Sequence, residues 1–232
     1  MTTWATGPWL GFDTETTGVS TGSDRIVTAA LVTRIPGVSS QVDSWLINPG
    51  VDIPPEATAV HGISTEFAAQ HGQQPADALE QIAAAMSHAL ASGAVLVAFN
   101  AGFDIAILEA ELARYQLPTL AGRLGHPVSP VIDPLVLDRW KNRWRKGQRK
   151  LSNLVEVYGV ETGPDGLHNA EVDVLATLDV LHAQVRAFPE LAAMSLDQLH
   201  QAQAQAHRQW AVSFNSWLSR QGRVADVDEQ WL

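Results

Sequence analysis

Over the first 50 positions the apolar residues come in short runs divided by Gly, Pro, Ser and Asp, and from position 77 they recur every three or four residues. The first pattern predicts strands and the second helices. Residues 10–15 open a strand after Pro8, residues 25–34 are rich in Val, Ile, Thr, Ala and Leu, and residues 41–48 end at Asn48-Pro49-Gly50. Short connections, Pro36-Gly37 among them, make these three an antiparallel meander. A loop with a short helix follows Pro54-Pro55, and Ser64 is placed to cap another.

Residues 77–91 carry Leu79, Ile82, Ala83, Met86 and Leu90 at helical spacing, and Gly93 stops them. Residues 94–99 form an apolar strand of the buried type, and Asn100-Ala101-Gly102 turns the chain into a helix from about 103 to 116. The run at 131–137 begins as a strand, which Pro134 ends while starting a helix. Residues 151–158 and 170–188 predict two more helices, and Ser195 caps a last one that runs to 221 before Gly222. Its stripe of Leu196, Leu199, Ala206, Trp210, Phe214, Trp217 and Leu218 fits packing onto the domain, with a partner-binding helix as the alternative. Residues 223–232 are expected to lack order. The order β-β-β-α-β-α-β-α-α predicts an α/β fold, a mixed five-stranded sheet flanked by helices, with a C-terminal helical extension.

A chain of 232 residues holds one substantial domain plus an extension, and 46% hydrophobic with 17% charged residues marks it as globular. The absence of cysteine excludes disulfides, thiolate zinc sites and cysteine nucleophiles, and fits a cytoplasmic setting. No basic segment leads into an apolar one at the start, so a signal peptide is not expected. His88, Gly93, Asn100 and Gly102 interrupt the uncharged run at 82–103, so no membrane span is expected either. A net charge of −10 argues against coating duplex nucleic acid broadly. The exception is residues 139–150, where seven basic residues (Arg139, Lys141, Arg143, Arg145, Lys146, Arg149 and Lys150) are interleaved with Trp140 and Trp144. That segment suits upstream phosphates and stacked bases, or else a solvated face with its tryptophans turned inward.

The candidate chemistry begins at Asp13-Thr14-Glu15-Thr16-Thr17-Gly18. On a strand, Asp13 and Glu15 share a face, and two carboxylates so close favour a cation between them. The threonines and Gly18 turn the chain and leave hydroxyls and backbone N–H groups beside the pair. Mg²⁺ or Mn²⁺ fits such oxygen donors, whereas a lone Asp-x-Glu is also compatible with a solvated strand end. Asp104 lies early in a helix after a glycine turn, where an acid also complements the helix dipole. In His168-Asn169-Ala170-Glu171-Val172-Asp173, Asn169 is a good N-cap, His168 lies in the loop before it and Asp173 about one turn along. Small residues nearby, Ala170, Ala176 and Thr177, let that helix approach a sheet closely.

Taken together, Asp13 and Glu15, Asp104 in Asn100-Ala-Gly-Phe103-Asp104, and His168 five positions before Asp173 resemble the three motifs of the DEDD exonucleases, with the histidine of the DEDDh branch. That branch includes the proofreading epsilon subunit of bacterial replicative polymerases, ribonuclease T and oligoribonuclease. Val60-His61-Gly62-Ile63 and the stretch from Lys150 to Val160 also resemble epsilon-type segments. The resemblance covers about residues 8–188 and implies a ribonuclease H-like exonuclease domain, placed at 1–190; the C-terminal helix and tail at 191–232 lie outside it. It implies 3′→5′ removal of nucleoside 5′-monophosphates, DNA favoured over RNA, with two ions held by Asp13, Glu15, Asp104 and Asp173. His168 would be the general base, and Thr16, His61, Asn100 and Phe103 would meet the terminal nucleotide. A polymerase or repair partner through the C-terminal helix would fit as well. Exoribonuclease action on the same site, and a non-catalytic nucleic-acid-binding accessory module, are the alternatives.

Overall fold

The computed structural model describes residues 3–161 and 169–232. In chain order the elements are β1 (Trp9–Thr16), β2 (Ile26–Arg34), β3 (Gln41–Leu46), α1 (Pro55–His61), α2 (Thr65–His71), α3 (Pro75–Ala91), β4 (Val95–Val97) and α4 (Ala101–Arg114). They continue as α5 (Leu120–Leu124), β5 (Val131–Ile132), α6 (Pro134–Lys141), α7 (Leu151–Tyr158), α8 (Ala170–Ala187), α9 (Glu190–Ala193) and α10 (Leu196–Arg220). The five strands form one sheet in the order β3-β2-β1-β4-β5. The meander is antiparallel, as its short turns require, while β4 and β5 add in parallel beyond β1. This is the mixed five-stranded sheet the hydrophobic pattern predicts. Among the described residues no helix is long and apolar enough to cross a membrane.

Strand parity divides the core. Leu10 and Phe12 of β1 point to one face, where Ala29 and Leu31 of β2 join α3 and α4. Burying a side chain such as Phe12 contributes about 1.5–3 kcal/mol. Trp9 points to the other face, with Ala30, Val32 and the α8 residues Val174, Leu178 and Leu181. Gly11 shares that second face, and a β-carbon there would lie 2.3 Å from Val174 Cγ1 and 3.2 Å from Leu178 Cδ1. A hydrogen at this position is what lets α8 lie directly on β1. The sequence reading credited the closeness to small residues on the helix, but the decisive one is on the strand.

The β4–α4 turn is built on Asn100, which adopts a left-handed conformation with φ 61° and so starts α4 two residues earlier than its apolar spacing suggests. Asp133 fixes this turn from the next crossover. It caps α6 by accepting from the Leu135 and Val136 N–H groups, and it also accepts from the Asn100 and Ala101 N–H groups at 3.1 and 3.0 Å.

The expectation of a disordered tail is overturned. The Asn215 side chain pairs with the Val227 backbone in both directions, at 2.8 and 3.1 Å. Trp231 is buried at 7% exposure in the main core cluster, with its ring 5.2 Å from that of His200. The tail lies so close to the first turn of α4 that a β-carbon on Gly102 would meet the Trp231 carbonyl at 2.7 Å. The polar residues around Val227 outweighed one tryptophan in the sequence pattern, yet that tryptophan ties the segment down.

Candidate active site

The carboxylates gather where the parallel strands end. Asp13 and Glu15 continue the Gly11 face of β1, and Asp173 comes to them in the first turn of α8. That helix is started by Asn169, whose side-chain oxygen accepts from the Glu171 N–H at 3.0 Å. One ligand atom from each of Asp13, Glu15 and Asp173 lies within 4.8 Å of the others.

Asp104 arrives from the opposite face. α4 packs on the Leu10 and Phe12 side, and there Thr14, also on that side, donates its hydroxyl to Asp104 Oδ1 at 2.7 Å. Asp104 is 4% exposed and stands outside the trio, yet its charge reaches Asp13. β1 is thus gripped by two helices, each bringing one acid to its end.

The electrostatics are those of a crowded anionic site. Burial raises the Asp13 pKa well above the carboxylate range, and Asp104, Asp173 and Glu15 raise it further. Burial and then Asp173 push Glu15 to about 7. Burial likewise pushes Asp104 to about 7, against the hydrogen bonds with Thr14 that favour its ionised form. Oxygen donors this close, each raising the cost of its neighbour's charge, fit a hard divalent cation, which would restore the ionised form.

His61 lines a cleft of about 200 Å³ beside this cluster, together with Glu15, Ile63, Asn169 and Glu171. Its Nδ1 accepts from the Ile63 N–H at 3.1 Å, which fixes the ring; burial lowers its pKa, and a backbone contact with Thr16 opposes that. The threonine hydroxyls are less free than the sequence suggests. Thr16 donates to the Gly18 carbonyl at 2.7 Å, and Thr17 donates to Asp24 while accepting from the Arg25 N–H. Both are used in shaping the turn. Phe103 is half-buried against the core, and the Asn100 side chain is exposed at the α4 turn. His168 lies outside the described residues.

Two contributors escaped the sequence reading. Thr14, between the two paired acids, was passed over because its parity points away from them. Asp133 had a readable signal, an acid immediately before Pro134 at a helix start, which is an N-cap pattern.

Residues 10–181 match the model of the exonuclease family. The chain belongs to the exonuclease family. Within the DEDD superfamily, this exonuclease is 36% identical over 188 residues to a DNA polymerase III subunit epsilon-like protein of Rhodobacter capsulatus, covering 80% of this chain and 24% of the relative. It is 35% identical over 180 residues to DNA polymerase III subunit epsilon of Treponema pallidum, covering 76% of each. The chain thus spans about a quarter of the first relative and about three-quarters of the second. In fold it is similar to exonuclease X in complex with 5′-overhanging duplex DNA, with TM-score 0.59, 24% identity, and 84% of this chain and 99% of that one covered. Escherichia coli exonuclease I in complex with a dT13 oligonucleotide gives TM-score 0.66 at 19% identity, with 80% and 43% covered. These two likenesses bear on the fold of the exonuclease. Its α9, α10 and tail fall outside the family match.

Proposed function

We propose that this exonuclease is of the DEDDh type and removes nucleoside 5′-monophosphates from the 3′ end of DNA, single-stranded or frayed ends preferred, in proofreading or repair. The convergence of Asp13, Glu15 and Asp173, with Asp104 behind Thr14, carries the reading. Asp13 would contact two Mg²⁺ or Mn²⁺ ions, Glu15 and Asp173 one of them and Asp104 the other, and such ions steady the charge that develops on the attacking and leaving oxygens. His168, five positions before Asp173, takes the proton from the attacking water; an imidazole with a pKa near 6.5 suits that transfer at neutral pH. His61, held by the Ile63 N–H, borders the terminal nucleotide in the cleft beside Glu15. The Thr16 turn, Asn100 and Phe103 complete its surroundings. DNA is favoured over RNA because one relative is a DNA polymerase III subunit epsilon, another is epsilon-like, and the two similar structures hold DNA. We place the nuclease unit at 1–190 with 191–232 appended, in the cytoplasm, and a polymerase or repair protein is a candidate partner of the appended helix.

Purified protein with Mg²⁺ should shorten a 5′-labelled single strand from its 3′ end, releasing mononucleotides, and EDTA should stop it. Running matched single-stranded DNA, a mismatched duplex and RNA side by side tests the substrate preference. Faster RNA trimming would replace the DNA reading, and no metal-dependent product from any of the three would refute the catalytic one.

A further inference from the structure

Residues 139–150 hold seven of the fifteen lysines and arginines in a chain of net charge −10. The structure sorts them into two groups. Arg145 and Arg149 both reach the fully buried carboxylate of Asp138, which Tyr158 and Asn142 also bond at 2.9 and 3.1 Å. Lys141 pairs with Glu190 at 2.5 Å. These three are used in holding α6, α7 and the α8–α9 corner together, so the segment is in part structural.

The other four, Arg139, Arg143, Lys146 and Lys150, make no salt bridge among the described residues, although Asp133 and Asp138 act on the charge of Arg139 from farther away. Arg139 has its guanidinium 3.4 Å from the centre of the Trp210 ring on α10, and burial lowers its pKa to about 10. Behind Trp210, Phe214 and Trp217 continue a stack along α10, with centroids 5.3 and 5.5 Å apart and planes within 13° and 15°. Facing it, Trp144 is 86% exposed, with Arg143 5.1 Å from its ring. Trp140, by contrast, turns inward against the core. A cleft of about 510 Å³ runs between the two sides, lined by Arg139, Arg143, Trp144, Arg149 and Trp210 among others.

We propose that this cleft is a second binding site for the substrate, taking single-stranded DNA upstream of the end being cut. Bases would stack on Trp144, the exposed ring of the cleft, and phosphates would meet Arg143 and the edge of the Arg139 guanidinium that lies over Trp210. A flat aromatic surface exposed to water and alternating with guanidinium groups matches the two parts of a nucleotide, base and phosphate. An acidic peptide would satisfy the charge but brings a ring only where its sequence has an aromatic residue, whereas every nucleotide brings a ring beside its phosphate. Duplex DNA hides its base faces and meets an acidic surface elsewhere on the protein. The location suits a continuous strand. α6 starts at the same end of the parallel strands as the acids, and Arg139 lies five residues along it, about 8 Å from its start. β5 is two strands from β1, about 10 Å across the sheet. A strand leaving the acids therefore reaches the cleft within a few nucleotides. Since α10 lies beyond the matched residues 10–181, the site is an addition to the nuclease fold that favours long strands over short ones. The inference rests on the DNA-exonuclease reading for its substrate, though not for its test.

The test is fluorescence anisotropy with labelled dT20 and dT3 in EDTA, where no cleavage occurs. The double variant R143E/W144A alters two exposed side chains, so folding is preserved. It should bind dT20 about tenfold more weakly and with a shallower salt dependence, while its affinity for dT3 changes less than twofold. W144F, which keeps a ring, should retain most of the dT20 affinity. Absence of wild-type binding to dT20, or equal dT20 affinity in wild type and double variant, overturns the proposal and leaves the aromatic face to a protein partner. A failed hydrolysis assay would refute the catalytic reading without altering this result.

Discussion

The acids at the end of β1 carry two properties at once, affinity for a cation and strain without one. Because burial and neighbouring acids raise Asp13 and bring Glu15 to about 7, and burial with Asp133 brings Asp104 to about 7, the folded chain holds protons that the unfolded chain has released from about pH 4 upward. Stability in EDTA should therefore be highest on the acid side of that window and fall as pH rises through 7. Mg²⁺ can take the place of the protons, so its addition should flatten the slope. Calorimetric melting at pH 5 and pH 8, with and without Mg²⁺, checks this; identical slopes would argue against a cation site. For the same reason Asp13→Ala should abolish hydrolysis while leaving the metal-free melting temperature unchanged or slightly higher, and near-normal turnover would remove Asp13 from the site. His168→Ala should cost roughly 10²–10⁴ in turnover, less than Asp13→Ala, with partial recovery at higher pH as hydroxide replaces the base. A His168→Gln enzyme with full activity and an unaltered pH profile would show that the side chain only orients water. At this scale the sequence was largely legible, because strand parity puts Asp13 and Glu15 together and capping puts Asp173 at a helix start. Thr14 was not, since its role depends on α4 packing against the far face of the same strand.

Among elements, the contact that sets the site is α8 on β1. Gly11 and Val174 are 163 positions apart, so no local pattern reveals that they touch, although both strand and helix are evident from spacing alone. Gly11→Ala would place a methyl 2.3 Å from Val174 Cγ1, and the helix must shift or Val174 must turn. Overpacking of this kind costs about 1–3 kcal/mol. Val174 is adjacent to Asp173, so the displacement should also spread the three ligand atoms. We expect a melting temperature several degrees lower and at least a tenfold loss of activity, with both partly recovered in the Gly11→Ala/Val174→Ala pair. A single variant with unchanged activity would show that the acids tolerate a displaced helix. The basic segment teaches the complementary lesson. Its charge count was plain, but Asp138, flanked by Leu137 and Arg139, gave no sign that it would be buried and would claim Arg145 and Arg149.

On the scale of the whole molecule, the C-terminal helix and tail close over the β5 edge of the sheet, two strands from the acids of β1. Gln203 of α10, fully buried, accepts from the Asp133 N–H at 2.8 Å and donates to the Val131 carbonyl at 2.9 Å, so α10 reads the same crossover that fixes the α4 turn. The tail adds Trp231, whose carbonyl faces Gly102 in the first turn of α4, close to Asp104. The extension is therefore mechanically connected to Asp104, the acid proposed to hold one of the ions. Trp231→Ala removes a large buried ring, a change that typically costs about 3–5 kcal/mol when the cavity cannot collapse and less when a terminal segment can peel away. If the tail only covers the core, the variant should melt at lower temperature with normal activity well below that melt. If it also holds the start of α4, Asp104 loses its fixed position, and activity should fall several-fold even at temperatures where circular dichroism shows the protein fully folded. The second outcome is the expected one, because the Trp231 carbonyl lies against Gly102 and loss of the ring uncovers the first turn of α4. An unchanged melting temperature would show that Trp231 contributes little to the core.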